Sequence, residues 1–173
     1  MNNGNQKNQI KEKEDKSRYS WLVLIAIPII SILIYLFFSK NLGYRQSIAL
    51  AHMITAIVSA ILIIYLAIQF RIKQKILHKE IAYLMAVFGI LSLYFSFVYG
   101  FSLKISTEMK DLHNIFGFIA LGLSLIPIAV KPGGKYKLHC RLATVAALFA
   151  ILSIITGFLA YTNLIYKIIG ISL

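Results

Sequence analysis

KDLHNIFGFIALGLSLIPIAVKPGGKYKLHCRLATVAALFAILSIITG, residues 110–157, holds two apolar runs, each long enough to approach or cross a bilayer. Each run opens on Leu-His beside basic residues, at Leu112-His113 and at Leu138-His139. The preceding segment, residues 49–100, repeats the plan. There His52 opens one apolar run and His78, in Lys75-Ile76-Leu77-His78, opens the next. The chain has four histidines, and each is expected at the N-terminal end of its own hydrophobic helix.

Composition fixes the class. With 59% hydrophobic residues and six acidic residues among 173, the chain has too little polar surface to cover its apolar surface in water. The expected fold is therefore an all-α integral membrane protein. The formal charge of +12 sits in short groups of Lys and Arg between apolar runs, not on one face or arm. That is the pattern of topology signals, and no nucleic-acid partner is expected. The lone Cys140 excludes an internal disulfide framework, and without Cys-x-x-Cys-His any haem would be held non-covalently.

Outward from the opening stretch, the chain divides into five apolar runs. Residues 1–18 are rich in Asn, Gln, Lys and Glu without apolar periodicity and read as a disordered cytoplasmic tail. Residues 19–39 read as a peripheral transmembrane helix, with an uncharged run over 21–38, and Tyr19 and Trp21 at the membrane boundary. Runs at about 47–70, 81–103, 112–130 and 142–166 follow, making residues 46–167 a four-helix core. Pro132-Gly133-Gly134 predicts a tight turn between the last two. Thirteen Lys and Arg fall on the side of the tail and five on the other, which predicts a cytoplasmic N-terminus and an outside C-terminus.

Alternating helix direction turns these positions into pairs. His52 and His113 belong at one depth near the outer face, and His78 and His139 at one depth near the inner face. The second helix pair repeats the first 61 residues later. Steps of three and four from each histidine reach mostly small residues: Ala143, Ala146, Ala150, Ser153 and Gly157 from His139, for example. Such stripes suit close helix packing or a flat ligand.

Neutral imidazole is a good axial ligand for haem iron, and two imidazoles from facing helices can hold one porphyrin between them. A helix N-terminus disfavours imidazolium, which suits ligation. One turn beyond the histidines, Ala56, Ala82, Gly117 and Ala143 leave room where a porphyrin edge would lie. Structural zinc wants four close ligands, often with Cys or carboxylate, and each depth offers two histidines. Cys140 reads as a small buried filler.

The segments Ala51-His52-Met53, Lys75-Ile76-Leu77-His78, Leu112-His113-Asn114-Ile115-Phe116-Gly117 and Leu138-His139-Cys140-Arg141, with Thr156-Gly157 later, resemble the ascorbate-reducible cytochrome b561 family and its shorter prokaryotic relatives. The resemblance covers roughly residues 49–157. It implies two non-covalent b haems, an outer one on His52 and His113 and an inner one on His78 and His139. In that family, basic residues near the inner haem bind an anionic reductant; Lys75 matches the family's lysine, and Arg141 its arginine if Cys140 is counted as an insertion. Family members generally have six helices, where five are predicted here, and the proline that often follows the first ligand is Met53.

The functional expectation is transmembrane electron transfer by a bis-histidine di-haem protein, an oxidoreductase of the ferric- or monodehydroascorbate-reductase kind. Lys75, Lys79, Lys135, Lys137 and Arg141 are its candidate substrate-binding residues. The expected partners are the bilayer, a small anionic or quinone donor on the cytoplasmic side and an acceptor outside, with homodimerisation left open. A prokaryotic plasma membrane is the expected location. Two alternatives stay open: a haem-bearing anchor that exchanges electrons with quinone and a partner subunit, and a haem-free helical membrane protein.

Overall fold

The computed structural model describes residues 22–71, 77–100, 108–129 and 136–169. They form five helices: α1 Leu22–Ser39, α2 Tyr44–Arg71, α3 His78–Tyr99, α4 Met109–Ala129 and α5 Tyr136–Ile169. All five are long and apolar enough to cross a membrane. At about 1.5 Å per residue, the 18-residue α1 reaches about 27 Å and the 21-residue α4 about 32 Å, against a hydrocarbon core of about 30 Å. The chain is an integral membrane protein of all-α class. The expected tail over residues 1–18, Tyr19, Trp21, and the turn at Pro132-Gly133-Gly134 lie outside the described residues.

The helices run past the apolar runs that predict them. Helix α2 starts at Tyr44 rather than near residue 47, because Gly43 is its N-cap and the Gln46 side chain accepts the Gly43 N–H at 3.1 Å. Helix α4 takes in Lys110 and Asp111, which the run placed in the preceding loop. Helix α5 begins at Tyr136 and takes in Lys137 and Arg141. Helix α3 stops at Gly100, whose φ of 108° suits glycine and whose N–H bonds Phe97 and Ser96 carbonyls at 3.1 Å.

Helices α2–α5 pack as a four-helix bundle. The α2–α3 and α4–α5 hairpins are each intimate, α2 packs against α5, and α3 touches α4 far less. Helix α1 lies outside, resting on the core only through residues such as Val23, Leu24 and Ile27. The bundle interior is lined by small side chains, with Ala146, Ala150 and Ala120 buried. That lets backbones approach where no hydrophobic effect drives helices together in lipid. Met85 is the largest fully enclosed side chain, with its sulfur accepting from Ser124 Oγ at 3.4 Å and its carbonyl from Ser59 Oγ at 3.4 Å. Large apolar residues such as Ile90, Tyr94, Leu148 and Phe158 face outward, a distribution that suits lipid and not water.

Candidate functional site: two histidine pairs at two depths

The bundle brings the four histidines together in two pairs. His52 of α2 and His113 of α4 have ring centroids 6.1 Å apart with planes at 88°. His78 of α3 and His139 of α5 are also 6.1 Å apart, with planes at 61°. Fourteen residues of α3 separate His78 from Ser92, which touches His52, so the two levels stand about 21 Å apart along the bundle. His78 and His139 lie in the first turns of their helices, and His113, the fifth residue of α4, lies just past its first turn. His52 does not: it is the ninth residue of α2, beyond the one turn over which helix-end charge acts.

Hydrogen bonds set the chemistry of the His52–His113 pair, called outer, with His78–His139 the inner, after the orientation that the loop charges predict. His52 Nδ1 lies 2.9 Å from the Ser92 carbonyl oxygen of α3, and His113 Nδ1 lies 2.8 Å from the Ser153 carbonyl oxygen of α5. A carbonyl only accepts, so in each neutral ring Nδ1 carries the proton and Nε2 keeps its lone pair. The Ser92 and Ser153 hydroxyls stand 3.3 Å from the same two nitrogens. Donation from Nδ1 to a backbone carbonyl is the arrangement that orients metal-ligating histidines and raises their basicity.

Missing side chains make room for these rings. A Cβ on Gly157 of α5 would come within 2.7 Å of His113 Nδ1, so only glycine admits the ring there. A Cβ on Gly117 would meet Ser153 Oγ at 3.1 Å. An open-sided cavity of about 150 Å³ runs beside both outer histidines, lined from all four bundle helices by residues that include Ala56, Gly117, Gly157 and Tyr161. The Tyr161 ring lies 5.9 Å from that of His113, at a break in the helical dihedrals of α5.

The inner pair is built differently. His78 is the first residue of α3, directly after Leu77, whose φ of 56° and ψ of 21° are left-handed. For a branched residue that conformation costs about 1–2 kcal/mol, and it aims the chain into α3 at the histidine. His78 Nδ1 is 3.4 Å from Oε1 of Gln69, a buried amide near the end of α2. Ala82 packs against the core and Ala143 is half-buried. Neither lines the outer cavity.

Of the expected cationic residues, Lys79 and Arg141 are exposed at the same end as the inner pair, and Lys79 Nζ sits 5.8 Å from the centre of the Tyr83 ring. Lys75 and Lys135 lie outside the described residues, as does the side chain of Lys137. Cys140 is half-buried rather than enclosed. Asp111, expected in a loop, is buried in the first turn of α4.

These observations test whether a metal group suits the site. Among the described residues no three of His, Cys, Asp and Glu gather as a metal cluster, so each level presents a pair. With metal–nitrogen bonds of about 2.0 Å and a ring centroid about 1.1 Å beyond, two imidazoles on opposite sides of one metal have centroids roughly 6.2 Å apart. Both pairs stand at that spacing. A pair suits iron whose other positions a porphyrin fills, and not structural zinc, which wants four protein ligands.

The residues that sequence reasoning passed over are the partners of the rings. Ser92 and Ser153 act through main-chain oxygens, which no side-chain pattern marks. Gln69 was visible as the one amide of the run over 47–70, and a polar side chain at that place is a functional signal. No family model, curated protein or solved structure matches the chain.

Proposed function

We propose that this protein is a transmembrane electron carrier that holds two b haems, the outer one between His52 and His113 and the inner one between His78 and His139, in the manner of the cytochrome b561 family. The observation that carries the reading is the outer pair: two rings 6.1 Å apart, each with Nδ1 committed to a backbone carbonyl and Nε2 left with its lone pair. A bis-histidine haem supplies a one-electron iron couple with no open position for oxygen.

The chain's own residues supply the rest. Ser92 and Ser153 hold the outer imidazoles in the ligating tautomer, Gly117 and Gly157 keep their surroundings open, and the apolar shell excludes water. The charge asymmetry of the loops supports a cytoplasmic N-terminus and an outside C-terminus, and the bias toward Ile, Lys and Asn supports a prokaryotic plasma membrane as the setting. Electrons then enter from a cytoplasmic donor, an anionic reductant or a quinol, drawn by the cations of that face, Lys79 and Arg141 among them. An outer acceptor receives them, which makes the activity that of a transmembrane oxidoreductase.

The test is spectroscopic. The full chain, purified in mild detergent from haem-sufficient cells, should show a sharp reduced α band near about 560 nm and two b haems per chain by pyridine haemochrome. A colourless preparation would sink the reading.

A further inference from the structure

The two levels secure their histidines by different means. The outer rings donate to main-chain carbonyls, whose acceptor strength no substitution of a side chain alters directly. At the inner level His78 Nδ1 faces a side chain, Gln69 Oε1, at 3.4 Å. Gln69 is 3% exposed, so its amide has been taken out of water in the last turns of a membrane-spanning helix. Burying an amide there is unfavourable unless its bonds are made. One of them fixes its orientation: Nε2 donates to the Tyr65 hydroxyl, one helical turn earlier, at 3.0 Å. With NH₂ committed to Tyr65, the carbonyl oxygen is the end presented to His78, and an oxygen that only accepts requires the proton on Nδ1.

We infer that Gln69 is a positioning residue for His78, holding the imidazole in the tautomer that leaves Nε2 able to ligate and tuning its basicity through a side-chain chain that runs from Tyr65 to Gln69 to His78. This rests on the haem reading above. A stronger acceptor at Nδ1 makes the ring a better donor to iron and favours the oxidised form, whereas removing the acceptor favours the reduced form. The inner centre is thus adjustable by substitution at one residue that is itself no ligand. At the outer centre the shorter bonds, 2.9 and 2.8 Å, go to main-chain oxygens, with the Ser92 and Ser153 hydroxyls beside them at 3.3 Å.

The experiment is a redox titration of the full-length protein in detergent, followed by optical and low-temperature EPR signals that resolve the two low-spin centres. It compares wild type, Gln69→Leu, Gln69→Glu and Tyr65→Phe. Gln69→Leu should raise the inner potential and Gln69→Glu lower it, each by about tenfold in the oxidised-to-reduced ratio, about 59 mV for a one-electron couple. Tyr65→Phe should move it in the direction of Gln69→Leu and by less, and the outer component should stay in place throughout. Glutamate is nearly isosteric with glutamine and guards against a fold lost in the leucine variant. Two bound haems with an inner potential unmoved by both Gln69 variants, or moved equally with the outer one, would overturn the role of Gln69 and leave the haem reading standing. A wild-type protein without haem would overturn both.

Discussion

His113 donates its Nδ1 proton to the main-chain oxygen of Ser153 at 2.8 Å, and His52 makes the same bond to Ser92, 61 residues earlier, at 2.9 Å. The repeat in the sequence is therefore a repeat in hydrogen bonding. Each outer histidine is gripped by the second helix of its own hairpin, and the two hairpins bring the gripped rings to 6.1 Å of one another, nearly perpendicular.

That grip depends on close backbone approach. Gly157→Ala places a methyl 2.7 Å from His113 Nδ1, so the ring must shift and the bond to Ser153 lengthen. Overpacking of this kind costs about 1–3 kcal/mol. The expected outcome is one haem per chain instead of two, read by pyridine haemochrome, with the inner spectrum intact. Gly122→Ala, where a Cβ meets nothing within 4 Å, should keep both haems and, as a helix-interior glycine, melt slightly higher.

Two levels about 21 Å apart share no ligand, so their losses should be independent. His113→Ala should abolish the outer haem and His139→Ala the inner, each leaving a single component in the redox titration. Loss of both haems from either substitution would contradict two separate sites.

Between the levels, α3 and α4 touch where Gly89 faces Leu121. A methyl on Gly89 would run into Leu121 Cδ1, the movable end of a side chain, and lie 3.1 Å from Ser59 Oγ. Gly89→Ala should therefore destabilise by about 1–2 kcal/mol, with Leu121→Ala in the same chain recovering part of it. A double-mutant cycle on detergent melting curves measures the coupling, expected at about 0.5–3 kcal/mol for touching residues.

Cys140 is the chain's single cysteine and is half-buried at the start of α5, on the level of the inner histidines. With the N-terminus in the cytoplasm, a membrane-impermeant maleimide should label it in inside-out vesicles and not in right-side-out ones. The reverse pattern would invert the orientation proposed here.

Much of this architecture was legible in the residues. Uncharged runs with charges at their junctions gave five spans, and equal spacing of histidines in two halves gave the adjacency of His52 with His113 and of His78 with His139. Helix ends were less legible, because a hydropathy run stops where polar residues start. The helix does not: Arg45, Gln46, Lys110 and Arg141 all continue it. The argument from helix ends failed for His52 on the same ground, since two helical turns precede it. The carbonyl partners were invisible because every residue has one, and only the fold decides which oxygen meets a ring. Gln69 carried a signal, a lone buried amide, that the apolar pattern around it masked.

The weaker contact of α3 with α4 than of α2 with α5 shows that the two halves are similar but not interchangeable. Each hairpin contributes one member of the outer pair and one of the inner pair, so neither half alone holds a complete pair. Both hairpins cross the bilayer in the same sense, which relates them by an axis along the membrane normal. Two copies of a single α2–α3 hairpin about that axis would present four histidines at two depths. The fused chain is in this sense a covalent dimer, free to let its halves diverge where a dimer of identical chains could not.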